Sequence, residues 1–175
     1  MKSTEYYLGF CVGILVVVIF IFVVCKVLKK NKTAAKYDER QLLARGKAFQ
    51  AGFFGTLIAD AAAIVICGAF EISWLPPAVL FAIAALIGIG IFCISAIVND
   101  AYFGFNQDTK TSGRFIVVIG GLNLIIGIIS VVRGGFIQDG TLNGSVLNLL
   151  LGILFVITYS VILVHNRQTE TEGEE

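Results

Sequence analysis

Apolar residues run along this chain in long blocks, not in the alternation of strands or the stripes of soluble helices. Five stretches carry no ionised residue or only one: 6–25, 48–70 with Asp60 inside it, 72–99, 115–132 and 140–166. A helix needs about 20 apolar residues to cross a hydrocarbon core, and each block is long enough. Backbone amides in lipid must bond within their own segment, and these blocks are too long and too weakly alternating for barrel strands, which leaves helices. The pattern predicts an all-α integral membrane bundle with five transmembrane helices, near 6–28, 48–70, 75–98, 115–133 and 146–165, forming one domain over residues 1–165.

Polar punctuation sets the expected ends. Ser73 is placed to N-cap the third span, Pro76-Pro77 suit its first turn, and Trp74 belongs at the membrane interface. Asp139-Gly140 and Asn143-Gly144 mark turns, and Ser145 stands where it can cap the last span. Residues 136–138 and 141–142 could close a small hairpin around Asp139-Gly140, but the two-residue signal is weak and an open turn is the leading expectation. Residues 29–47 read as a basic elbow between the first two spans, its second half helical from about Asp38-Glu39, where the helix dipole favours anions. Residues 166–175, with four Glu among the last six, read as a solvated, disordered tail.

Composition changes the picture by exclusion. Apolar residues make up 57% of the 175 and charged ones 14%, against roughly 45–50% and 25% in soluble domains, which rules out a soluble globule, a disordered chain and a disulfide scaffold. A net charge of +1 gives no global attraction for nucleic acid. Eleven of the thirteen Lys and Arg fall in 26–47, in 99–114 and at Arg167, whereas only Lys2 and Arg133 lie on the opposite side. By the positive-inside rule the N-terminus is outside and the C-terminus cytoplasmic, as five spans require. The first block is longer than a signal-peptide core and its positive charge follows it, so it reads as a retained anchor. No internal repeat is visible, which disfavours a duplicated transporter.

Asp60 is the sharpest chemical feature. A carboxylate near the bilayer midplane costs about 2.5–3.5 kcal/mol on insertion scales, so it must be neutral, paired or hydrated. Two readings stand level: a proton or cation site, and a protonated Asp bonded between helices or between copies of the chain. Its candidate partners are Asn123 on the fourth span and Asn148 and Tyr159 on the fifth. Gly120, Asn123, Gly127 and Ser130 share one helical face, as do Asn148, Gly152 and Tyr159, and interhelical glue is the leading reading of that seam. Small residues recur at every fourth position in Ala51, Gly55, Ala59, Ala63 and Cys67, in Ala84 and Gly88, and in Gly9-x-x-x-Gly13. Such rows let helix backbones approach closely, within one bundle or between copies.

Residues 26–36, leading into the elbow, hold five Lys in eleven residues, a surface for anionic lipid headgroups, though a topology anchor is the leading reading. Asp100 at a helix C-terminus opposes the dipole and calls for a cation, and Arg40 or Arg45 on the same membrane face can supply it. A cytoplasmic clasp between Arg40 or Arg45 and Asn99-Asp100 is therefore expected, with Tyr102, Phe103 and Phe105 at the interface. Lys36-Tyr37-Asp38-Glu39-Arg40-Gln41 with Arg45-Gly46-Lys47, together with Asn99-Asp100-Ala101-Tyr102-Phe103, resembles a family of small uncharacterised polytopic membrane proteins of Gram-positive bacteria. The resemblance covers about thirty residues and implies a bacterial plasma membrane without assigning an activity.

Cys11, Cys25, Cys67 and Cys93 show neither C-x-x-C spacing nor a neighbouring His, so no metal site, cofactor or redox motif is expected. His165, the only histidine, ends the last span, where a cation is welcome. Nucleotide-binding and hydrolase motifs are absent, and the two Asn-x-Ser/Thr matches at Asn31 and Asn143 read as chance. The expected function is that of an accessory or regulatory membrane protein, not an enzyme, acting by helix–helix association and through the basic segment. Its partners would be the lipid bilayer and a second copy or another membrane protein. The alternative is a small oligomeric transporter or channel built on Asp60.

Overall fold

A computed structural model describes residues 35–70 and 72–172, together with the isolated positions Val12, Leu15, Ile19, Phe22, Val23 and Lys26, which have helical backbone. The rest of the expected span 6–28, the Gly9-x-x-x-Gly13 row, Cys11, Cys25 and Lys-rich 27–34 lie outside the described residues. Residues 37–175 form one compact unit and 1–36 another.

The described chain is helical: α1 (Glu39–Ala69), α2 (Pro77–Val98), α3 (Thr109–Gly134) and α4 (Val146–Glu172), with strands β1 (Ile137–Gln138) and β2 (Thr141–Leu142) between the last two. All four helices are long and apolar enough to cross a membrane. The second half of the elbow is not a separate element. Asp38 caps α1 through a capping box, its carboxylate accepting from the Gln41 amide at 2.7 Å while the Gln41 side chain accepts from the Asp38 N–H at 3.3 Å. From that start the helix runs unbroken for 31 residues, about 46 Å, well beyond the roughly 30 Å of a hydrocarbon core.

Ser73 does not cap α2. That helix starts at Pro77 with Pro76 at the cap position (φ −62°, ψ 133°) and no side-chain cap bond. The proline ring forces the preceding residue out of helical backbone, while Pro77 loses nothing by having no N–H in the first turn. Ser145 precedes α4, but its hydroxyl is buried without a partner among the described residues, and the Asn143 side chain instead accepts from the Ser145 N–H at 3.0 Å. The small hairpin does form: Asp139 and Gly140 both take left-handed φ (52° and 76°), as a two-residue hairpin turn matching strand twist requires. α4 continues seven residues past the expected end at His165, so residues 166–172 are helical rather than disordered.

Glycines decide which helices touch. α1 and α2 form an antiparallel pair crossing at Gly52 and Gly88, where a Cβ on Gly52 would meet the Gly88 carbonyl oxygen at 2.8 Å. α3 and α4 form a second pair, where a Cβ on Gly127 would meet the Leu149 backbone nitrogen at 2.6 Å and one on Gly152 the Leu124 nitrogen at 2.8 Å. The two hairpins meet along α2 and α4, with Leu154 packed 3.1 Å from where Gly90 would carry a Cβ. Glycine faces thus pack helices within the chain, as small residues do where apolar lipid gives no hydrophobic drive.

Candidate functional site

At the end of the bundle that holds the α1 N-terminus, the α2–α3 loop and the α4 C-terminus, polar side chains converge on Asp100. α2 closes in a Schellman motif: the Ala101 N–H bonds to the Ala96 carbonyl at 2.8 Å and the Asp100 N–H to the Ile97 carbonyl at 3.0 Å. The residue at Asp100's position must take left-handed backbone, here φ 53°, a place usually given to glycine. An aspartate held there against steric preference has its carboxylate projected from the helix end.

Both carboxylate oxygens are used. Oδ1 accepts from His165 Nε2 on α4 at 2.8 Å, and Oδ2 lies 3.6 Å from Arg40 Nη2 on α1. Gln41 on α1 donates to the Asp100 carbonyl at 2.8 Å. Asp100 therefore bridges the first hairpin and the second, whose most extensive contact runs along α2 and α4. A pocket of about 260 Å³ opens beside it, with Gln41, Asp100, Tyr102, Gln107 and His165 among its walls.

Arg45 reaches the same loop differently. Its Nη1 donates to the Tyr37 hydroxyl at 3.1 Å and to the carbonyls of Ala101 and Tyr102 at 3.2 and 3.3 Å. Its guanidinium lies 4.8 Å from the Tyr37 ring centroid and 5.4 Å from that of Phe92, within cation–π range. Arg40 is thus the ion-pair partner of Asp100, whereas Arg45 satisfies loop carbonyls. Asn99 does not join the two elements; its side chain bonds back to the Ser95 carbonyl at 2.7 Å.

Tyr102 packs beneath this joint against the buried cluster of Ile97, Ile116 and Ile162, beside the Cys93 thiol. Burial first, and then the neighbouring Cys93, push its hydroxyl up from an ordinary value near 10 to about 12, with Arg45 pulling the other way.

The intramembrane polar residues do not gather into one site. Asp60 lies on α1, which has no extended packing with α3 or α4, and it has no hydrogen-bond or ion-pair partner among the described residues. Asn123 donates to its own helix at Ile119, 2.9 Å away. Asn148 sits in the first turn of α4, and Tyr159, at the middle of that helix, packs against Gly113 of α3. The α3 and α4 faces expected to meet do so, through glycine and apolar side chains. Among the described residues no group of three or more His, Cys, Asp or Glu could hold a metal ion.

His165 and Gln41 are the site residues that the sequence reading passed over. The available signal was depth: His165 ends a span on the same expected face as Asp100, and a carboxylate has two oxygens to share between donors. No family model, no curated protein and no solved structure matches this chain.

Proposed function

We propose that this chain is an accessory or regulatory protein of a bacterial plasma membrane, without catalysis. In this reading it has five spans, an outside N-terminus and a cytoplasmic C-terminus. It works by associating with other membrane helices and through its basic cytoplasmic segment. The observation that carries the reading is the Asp100 joint: the most elaborate polar arrangement in the described chain ties two helical hairpins together at their charged end. Such a joint sets the relative position of helices, which is what an accessory subunit offers a partner. The resemblance to a family of small Gram-positive membrane proteins supports the compartment, and the distribution of Lys and Arg supports the orientation.

A second reading, an oligomeric transporter or channel, is favoured by one observation, that Asp60, within the apolar part of α1, has no partner among the described residues. An intramembrane carboxylate is a functional site by default. Reconstituted vesicles separate the two. The accessory role predicts no proton or cation flux above protein-free vesicles, and a photo-crosslinker at Ile58, on the exposed face of α1, should trap a discrete adduct with a membrane protein in cells. Flux that disappears in Asp60→Asn, with lipid adducts alone at Ile58, would replace that reading with transport. Cysteine labelling from both sides of the membrane tests the orientation independently.

A further inference from the structure

We infer that the groove beside Arg45 binds the headgroup phosphate of an anionic phospholipid. The groove, about 400 Å³, lies between the start of α1 and the start of α3, with Phe92 of α2 and the α2–α3 loop among its walls. Its polar wall is Arg45, Tyr37, Gln107 and Ser112; its apolar wall is Phe92, Phe115 and Ile116.

Three observations point to an anionic amphiphile. Arg45 is half-buried, and no carboxylate lies within ion-pairing distance of it among the described residues. Its hydrogen bonds go from one guanidinium nitrogen to neutral oxygens, which leaves a full positive charge in a partly desolvated place without a counter-charge among the described residues. The planar fork of arginine suits two phosphate oxygens at once. Second, polar and apolar walls meet within one groove, as a headgroup joined to an acyl chain requires. Third, the apolar stretch of α3 opens at Ser112, in the groove wall, so the phosphate would sit at interfacial depth and the chain alongside Phe115. Arg40, by contrast, has its anion in Asp100.

This inference needs only that the chain spans a bilayer; which leaflet the groove faces is immaterial, and it holds whether or not the protein transports anything. The test is native mass spectrometry of the full-length chain extracted from vesicles of equal phosphatidylglycerol and phosphatidylcholine. One cation near the surface predicts about a fivefold preference for retained phosphatidylglycerol. Arg45→Gln should lower the ratio by about that factor. Because Arg45 also holds the loop, Ser112→Phe, which fills the groove from α3 and leaves the Arg45 contacts alone, should do the same. Arg40→Gln, which removes an exposed cation, should leave the ratio unchanged. Equal retention of the two lipids by the native protein, a preference that survives Ser112→Phe, or one that falls as far in Arg40→Gln, would overturn the assignment. Retention of inorganic phosphate in place of lipid would overturn it in favour of a soluble anion.

Discussion

Asp100 combines two demands that usually fall on different residues: a left-handed helix terminus and a carboxylate shared by Arg40 and His165. The backbone demand favours glycine, because a side chain in that conformation costs roughly 1–2 kcal/mol. The ion pair with Arg40 offsets little of this, since the two side chains are 74% and 47% exposed and exposed pairs contribute about 1 kcal/mol at most. Asp100→Gly should therefore unfold at a higher denaturant concentration than Asp100→Ala, by about 1 kcal/mol in detergent micelles. Equal stability of the two variants would mean that strain at this position is unimportant. Tyr102 makes a second residue-scale prediction. Its hydroxyl titrates near 12 in the fold against about 10 when exposed, so the fold favours the neutral phenol. That contribution is complete below pH 10 and is lost as pH rises through 12. Alkaline unfolding monitored by tyrosinate absorbance should shift to higher pH in Tyr102→Phe if burial of the neutral hydroxyl is the cause.

At the scale of elements, glycine placement distinguishes faces that hydropathy cannot. Gly127 and Gly121 lie on the same helix, yet a Cβ on Gly127 would meet the Leu149 backbone at 2.6 Å whereas nothing lies within 4 Å of one on Gly121. Gly127→Ala should destabilise the α3–α4 pair by about 1–3 kcal/mol, while Gly121→Ala should be neutral or stabilising by up to about 1 kcal/mol; equilibrium unfolding of both variants in the same micelle checks the contrast. The same distinction explains what was legible in the chain beforehand. Span positions could be read because ionised residues are excluded from lipid wherever the helix lies. Pairing could not, because every face of an apolar helix looks alike until a neighbour's backbone occupies the space above a glycine. The joining of the elbow to α1 was legible in part: the stretch from Asp38-Glu39 reads as helix, with Leu42, Gly46, Phe49 and Phe53 on one face running into the span, and the capping box at Asp38 and Gln41 starts a helix that nothing stops before Ala69. The clasp was likewise legible in part: charge opposition at a helix end called for Arg40 or Arg45 without choosing between them, whereas His165, a lone histidine outside any motif, was marked only by its depth on the same expected face as Asp100.

On the scale of the whole molecule, the two hairpins are joined at both ends by unlike means. At one end the Asp100 carboxylate spans them through side chains; at the other, the Leu142 N–H bonds to the Trp74 carbonyl at 2.6 Å, backbone to backbone. Only the first can be loosened by removing a charge. Asp100→Asn should therefore speed amide exchange over residues 100–107 while leaving the emission of Trp74, the chain's single tryptophan, unchanged. A shift in Trp74 emission would mean that the whole seam between the hairpins opens together. The unbroken course of α1 extends the same asymmetry. A stiff rod of 31 residues transmits rotation as well as displacement, so a ligand or protein that turns the Tyr37–Arg45 end by a fraction of a helical turn swings Asp60 through the same angle. Contact at one end of the helix would thus reorient an acidic group deep in its apolar stretch without any solute passing through.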